Sequence, residues 1–439
     1  MEAKPAAVQE AKQAGEIQAR WAWTEPSVWT ERMLTALERG VKGGSWFSLI
    51  DKVYSLRNLR SAFGQVKARK GAGGVDHVTI EMFESNLEAN LGRASEELAT
   101  GNYQPQAVRR KWIPKPGSKQ QRPLGIPTVR DRVVQGALRN VLEPIFERDF
   151  AQQSYGFRPG RGCKDALRSV DRLLKAGETW VVDADLASYF DTIPHNRLME
   201  AVAQKVSDSR VLGLIEAMLK QGIMEGMACW TPTDGTPQGA VISPLLSNIY
   251  LDPLDHEMAK RGWKMVRYAD DFVILCRSEA SARAALRAVQ QWAATAGLKL
   301  HPEKTRIVDA TQRGGFDFLG YHFERGYRWP RHKSTDKLKA TIRQHTRRRN
   351  GHSLRTIIDN VNRALAGWFG YFKHSHHTTF PPLDGWIRMR LRTILRHRRK
   401  RKGRARGPDN IRWSNAFFMQ QGLFNLSAAH TASSQPSKR

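Results

Sequence analysis

Lys264-Met265-Val266-Arg267-Tyr268-Ala269-Asp270-Asp271-Phe272-Val273-Ile274-Leu275-Cys276 decides how this chain is read. The apolar residues on either side have strand character. The two adjacent carboxylates between them predict a tight turn joining two strands. Asp is disfavoured within strands and costly to bury unpaired. Two together call for a compensating charge, and a divalent cation supplies one, because hard cations take oxygen ligands. Taken alone, the dipeptide is better explained as an exposed hairpin tip, where Asp is common.

A second acidic strand lies upstream, Val182-Asp183-Ala184-Asp185-Leu186, running on to Asp191. Asp183 and Asp185 share a strand face by the period of two. If this strand neighbours the Asp270 turn, carboxylates from both meet at one sheet edge. Two-metal phosphoryl transfer needs such a cluster, to hold cations roughly 3.5–4 Å apart. Asp183 is more simply a strand-edge charge, and Asp191 a helix N-cap.

Composition narrows the partners. The 439 residues are enough for two to four domains, and a 40% hydrophobic content supports a packed core. Lys and Arg number 71 against 42 Asp and Glu, a formal net charge of +29. A folded protein this basic expects a polyanion, and nucleic acid is the leading candidate. No apolar run is long enough to span a bilayer, and the N-terminus shows no signal-peptide core, so a cytoplasmic protein without membrane contact is expected. Cys163, Cys229 and Cys276 are too scattered for a structural zinc site.

Residues 1–45 read as a helix-prone extension carrying Trp21, Trp23 and Trp29, to which no chemistry is assigned. Residues 46–330 alternate helical patterns with short apolar strands. Ala280 to Ala296 reads as a helix stopped by Gly297. Residues 333–406 hold 21 Lys and Arg against 3 Asp and Glu, a local charge of +18. Leu354, Ile357, Ile358, Val361, Leu365 and Trp368 recur there at helical spacing, predicting an apolar face inward and a basic face outward. Arg347, Arg348 and Arg349, with Arg398, Arg399, Lys400, Arg401 and Lys402, form the densest runs and are expected at phosphates. The interleaved aromatics are better explained by core packing than by base stacking. The division expected is 331–400 for this helical region and 401–439 for a basic segment ending in a Ser-rich tail, disordered from Thr431.

Two further stretches suit a nucleotide site. Lys111 to Pro127 reads as a basic hairpin with a Pro-Gly turn, whose cations could clamp a triphosphate. Pro237-Gln238-Gly239 supplies a glycine where backbone must come close to something, and an amide able to bond a base or sugar.

Together these motifs resemble the reverse transcriptases encoded within bacterial group II introns, also called intron maturases. Ser154 to Arg161 is similar to their fingers motif and Asp185 to Asp191 to palm motif A. Pro237-Gln238-Gly239 is similar to motif B, Tyr268-Ala269-Asp270-Asp271 to motif C, Gly297 to Thr305 to motif D and Phe316 to Tyr321 to the primer grip. Val53 to Asp76 resembles their N-terminal extension, and Gly367 to Phe372 their thumb and maturase region. The resemblance implies an α+β right hand: fingers and palm with an antiparallel sheet, then an α-helical thumb. It implies catalytic carboxylates at Asp185, Asp270 and Asp271, and two Mg²⁺ ions held by these with the Leu186 carbonyl. Lys115 and Arg122 become the triphosphate clamp, and Phe190 the gate against a ribose 2′-hydroxyl. Gln238 and Gly239 lie by the incoming dNTP, Lys304 near the pyrophosphate and Arg158 at the nucleic acid.

The implied partners are an intron RNA template, a DNA primer or target and dNTPs, with no protein partner required. The implied function is RNA-directed DNA synthesis joined to splicing assistance and mobility. Two other readings are an RNA-binding maturase without relevant polymerase activity, and an enzyme recruited to repair or phage defence. Intact Asp185, Asp270 and Asp271 argue against the first of these. Many relatives carry a C-terminal endonuclease with paired Cys and His; no such pairs occur here, so DNA nicking is not expected.

Overall fold

The computed structural model describes residues 15–41, 43–114, 121–349 and 351–434. Eleven strands lie among them: β1 Val108–Pro114, β2 Gln121–Ile126, β3 Trp180–Asp185, β4 Ile223–Glu225, β5 Ala228–Trp230, β6 Lys264–Tyr268, β7 Asp271–Cys276, β8 Arg306–Asp309, β9 Phe316–Phe318, β10 Tyr321–Glu324 and β11 Tyr327–Pro330. They form sheets of order β2–β1–β4–β5, β6–β7–β3–β8 and β11–β10–β9. Helices occupy the segments between the strands and nearly all of the chain after β11. The fold is α+β, as expected.

Two compact units divide the chain. One comprises Met1–Lys115, Lys119–Val170 and Ala184–Arg306; the other comprises Pro116–Ser118, Asp171–Asp183 and Ile307–Arg439. The first is centred on the helix Val129–Glu147, almost every residue of which is buried. Gly136 lets the helix Leu56–Arg69 approach: a Cβ there would sit 3.1 Å from the Ala62 methyl. The N-terminal tryptophans dock on this body. Trp21 and Trp29 are buried, and Trp29 Nε1 donates to the Asn140 carbonyl at 2.9 Å. The expected extension 1–45 is therefore packed into the first unit.

The second unit holds β9–β11 and the helices His332–His345, Leu354–Phe372 and Phe380–Arg398. The expected boundary at 330 falls instead at Arg306, and a reciprocal pair of tyrosines gives the reason. Tyr321 Oη donates to the Tyr371 carbonyl at 2.6 Å, and Tyr371 Oη donates to the Leu319 carbonyl at 2.7 Å. These bonds tie the three-stranded sheet to the long helix. Apolar residues spaced three and four apart on both long helices build the core, with Ile358, Val361, Leu365, Ile387, Leu391 and Ile394 all nearly inaccessible. Trp413, Phe418 and Leu426 complete it, so residues after 401 join the helical unit. The helix Leu426–Ser434 runs through Thr431, where disorder was expected.

Candidate active site and nucleic-acid interface

β6 and β7 pair antiparallel with Tyr268 opposite Asp271, leaving Ala269 and Asp270 as a two-residue turn. The predicted strand–turn–strand is present. Ala269 has φ +60°, a left-handed conformation that Gly or Asn adopts more readily in such turns. Three neighbours hold it. Arg267 Nη1 donates to the Ala269 carbonyl at 2.9 Å, and Gln153 to Gly156 lie alongside β6, with Tyr155 N donating to the Arg267 carbonyl at 2.8 Å. Gly156 touches the turn so closely that a Cβ would fall 2.2 Å from the Ala269 nitrogen. That contact is the physical reason for the glycine in Ser154-Tyr155-Gly156-Phe157.

Asp185 ends β3, where a short antiparallel bridge joins Leu186 to Leu300. His301 N donates to the Asp185 carbonyl at 2.7 Å, and Ala187 N donates to the Lys299 carbonyl at 2.8 Å. These bonds leave the Leu186 carbonyl unused by this bridge. They also carry Lys304 to Asp185, Nζ to Oδ2 2.5 Å. Burial pushes the Asp270 carboxyl above its ordinary range, and the nearby Asp185 charge adds to the rise, while its own backbone N–H, Arg267 and Lys304 oppose it. Asp185 and Asp270 are thus brought together, as the sequence predicted. Asp271 opens β7 opposite Tyr268.

Phe190 follows in the short helix Tyr189–Thr192 and is half-buried. Tyr189 anchors this helix, with Oη donating to the Ser247 carbonyl at 2.8 Å, and its ring meets Phe190 edge-on at 5.4 Å. Asp191, read as an N-cap, lies inside the helix, and its carboxylate accepts from Gln238 Nε2 at 3.2 Å. Gly239 has φ +113°, and a Cβ there would fall 2.5 Å from the Gly125 carbonyl oxygen. The close approach expected of this glycine is made to the β1–β2 hairpin. That hairpin pairs from Arg109 opposite Ile126 to Pro114 opposite Gln121. Lys115 lies outside the described residues; Arg122 is exposed on β2.

A cleft of about 830 Å³ opens beside Phe190, Gln238 and Gly239. Arg69, Lys70, Arg122, Arg132, Arg139 and Arg158 line it, against one carboxylate, Glu143. Four of these cations, Arg69, Lys70, Arg132 and Arg139, were not singled out from the sequence. The available signal was Lys70-Gly71-Ala72-Gly73-Gly74: Arg132 Nη2 donates to the Ala72 carbonyl at 2.8 Å, and a Cβ on Gly71 would meet Arg132 Nη1 at 2.8 Å. Arg132 Nε and Arg139 Nε are buried there without a hydrogen-bond partner. Arg158, expected at nucleic acid, requires correction. It is 6% exposed, and its guanidinium is engaged by Glu147 and by the carbonyls of Phe150, Ala151 and Ser154. No donor remains for a phosphate, so it braces the fingers motif from within.

In the second unit Arg347, Arg348 and Arg349 are exposed, as are Arg398, Arg399, Lys400, Arg401 and Lys402. Arg398 Nη2 donates to the His352 carbonyl at 2.5 Å, bringing the second run beside the first. Arg343 and Arg390 lie 5.7 and 5.4 Å from the Trp386 ring centroid. This interleaved tryptophan is therefore engaged by cations of the unit itself.

Paired carboxylates at the turn of an α+β palm are the architecture of a right-hand polymerase. Residues 113–323 match the family described as reverse transcriptase (RNA-dependent DNA polymerase), and residues 335–412 match the group II intron maturase-specific domain. The chain is 36% identical over 348 residues to Protein YkfC of Escherichia coli (strain K12), a match covering 70% of this chain and 86% of that one. It is 40% identical over 196 residues to Group II intron-encoded protein LtrA of Lactococcus lactis subsp. cremoris, covering 44% of this chain and 32% of LtrA. A solved chain of a partial Cas6-RT-Cas1–Cas2 complex is 24% identical with a TM-score of 0.36, covering 56% of this chain and 41% of that one. This chain belongs to the group II intron reverse transcriptase/maturase family. Among the described residues no helix is long and apolar enough to cross a membrane.

Proposed function

We propose that the chain is an RNA-directed DNA polymerase that copies intron RNA from a primer and also binds that RNA to assist splicing. The single observation carrying this reading is the Asp185–Asp270 pair, placed at a clamped turn in a strongly basic protein. A binding module gains nothing from partly buried acid beside RNA, because it repels phosphate and costs stability.

Among the described residues, no three or more His, Cys, Asp or Glu side chains form a metal cage. Mg²⁺ does not need one: it is usually held by one or two carboxylates together with substrate phosphates and water. The donor set fits, being hard oxygen with a raised Asp270 carboxyl and a Lys304 ammonium already standing on Asp185. Asp185 and Asp270 would hold the ions, with Asp271 and the Leu186 carbonyl assisting. When bound, such ions ease deprotonation of the primer 3′-hydroxyl and stabilise charge on the leaving oxygen.

The chain's own residues do the rest. The primer 3′-oxygen bonds to the α-phosphorus as the bond to pyrophosphate breaks, and the hydroxyl proton passes to solvent. Arg122, with Lys115, grips the triphosphate, and Lys304 swings from Asp185 toward the departing pyrophosphate. Gln238, steadied by Asp191, borders the nucleotide. Phe190 forms the wall against the 2′ position.

The direct test is primer extension by the purified protein on an RNA template. DNA synthesis that requires dNTPs and Mg²⁺ and stops with EDTA is expected; RNA binding without extension would leave only the maturase reading.

The Phe190 wall makes its own prediction. Phe190→Ala raises ribonucleotide over deoxyribonucleotide incorporation by up to about 10²-fold, the scale on which an apolar pocket discriminates a hydroxyl. A Phe serving only as core would instead cost about 3–5 kcal/mol of stability and reduce both incorporations alike. Incorporation ratio measured beside Tm separates the two.

A further inference from the structure

We infer that Arg267 is a positioning residue for the candidate catalytic turn, acting through the Ala269–Asp270 peptide, and that Asp255 and Asn248 exist to hold it there. The inference rests on the polymerase reading for its kinetic consequence, but not for its geometric one.

Arg267 is fully buried, and so is Asp255, eleven residues closer to the N-terminus than the β6 end at Tyr268 would require for a local contact. Asp255 lies on the helix Ser243–Lys260, and so does Asn248, two turns earlier. The guanidinium takes Asp255 with Nε at 2.8 Å and Nη2 at 2.5 Å, a two-point grip that fixes its plane. The remaining nitrogen, Nη1, donates to Asn248 Oδ1 and to the Ala269 carbonyl, both at 2.9 Å. Asn248 Nδ2 in turn donates to the Gly156 carbonyl at 2.9 Å. One asparagine thus links the arginine beneath the turn to the glycine beside it.

The peptide so held is the one that matters. Its carbonyl belongs to Ala269, which is in the left-handed region, and its N–H belongs to Asp270. That N–H is hydrogen-bonded to the Asp270 carboxylate. A peptide group is planar, so fixing its carbonyl fixes the direction of its N–H. Arg267 therefore sets the plane from which the Asp270 carboxylate is aimed. Without that bond nothing on the carbonyl side opposes a flip of this peptide, and a flip would also relieve the left-handed conformation of Ala269. A buried ion pair adds little net stability over well-packed apolar residues. Specification of one turn geometry is a function that an apolar substitute cannot supply.

The test uses the full chain and two variants. Arg267→Lys keeps the charge but lacks the planar fork. The double variant Arg267→Met with Asp255→Leu removes both charges together and keeps apolar volume, so the fold survives even if the single variant is unstable. Three readouts are taken on each: primer-extension kcat with dNTP KM, Mn²⁺ affinity by electron paramagnetic resonance, and thermal midpoint. The expected result is a fall in kcat of about 10–100-fold with dNTP KM and RNA affinity nearly unchanged. Mn²⁺ affinity should weaken by about 10–100-fold as well, the usual scale for losing a group that orients a ligand. Asn248→Ala should shift both in the same direction by less. Unchanged kcat and Mn²⁺ affinity in well-folded variants would overturn the inference. So would a loss of kcat that merely tracks the unfolded fraction at constant Mn²⁺ affinity. If the unmodified protein binds Mn²⁺ but extends no primer, the polymerase reading fails while the Mn²⁺ comparison still decides the role of Arg267.

Discussion

Asp270→Ala and Asp185→Ala each abolish cDNA synthesis on an RNA template while RNA binding stays largely intact. Charge stabilisation by bound metal contributes several kcal/mol to phosphoryl transfer, and about 4 kcal/mol corresponds to about 10³ in rate. A loss of at least that size is expected from either substitution. Stability should not fall with activity, because each variant removes a carboxylate from a costly setting. Asp270 is buried enough to be pushed above its ordinary range, and Asp185 contributes to that push. Removing either relieves the other. Thermal midpoints equal to or above that of the unmodified protein, beside absent extension, are the expected pair of results. Near-normal extension by either variant would overturn the catalytic assignment.

Neutralising Arg347, Arg348 and Arg349 together flattens the salt dependence of RNA binding. A protein that neutralises roughly 6–10 phosphates loses on the order of 10³–10⁵ in affinity between 50 and 200 mM salt. The triple substitution should lower the slope of log affinity against log salt by up to about three units if each arginine meets one phosphate. All three are exposed, and Arg398 brings a second basic run beside them through the His352 carbonyl. Extension on a short pre-annealed duplex should suffer less than intron binding, because the chemistry lies among residues of the other unit. Equal loss of both would make this surface a holder of the primer duplex only. An unchanged slope would place the arginines in solvent and remove the main support for intron binding.

The catalytic turn was legible because local chemistry spells it out. Two carboxylates between two apolar runs admit few structures, and the paired strands from Lys264 to Cys276 follow. The helix ending before Gly297 and the basic hairpin before Pro127 were readable for the same reason: their signals are caps, turns and periodicity within a dozen residues. The +18 of residues 333–406 was likewise countable, and composition alone directs it toward phosphate.

Burial and long-range pairing were not legible. Arg158 looked like a phosphate ligand because an arginine in a fingers motif carries the same letter whether it faces solvent or Glu147. Arg69, Arg132 and Arg139 are ordinary helix arginines in sequence, and only the packing of two helices turns them toward one cleft. The boundary at Arg306 depends on hydrogen bonds between Tyr321 and Tyr371, fifty residues apart. Arg267 stands in the same quoted run as Asp270, and nothing in its neighbours foretells Asp255 or Asn248. Residue types and their spacing are enough to specify which chemistry is possible. Desolvation and partner choice decide which copies of a residue perform it, and both are properties of three-dimensional neighbours rather than of neighbours along the chain.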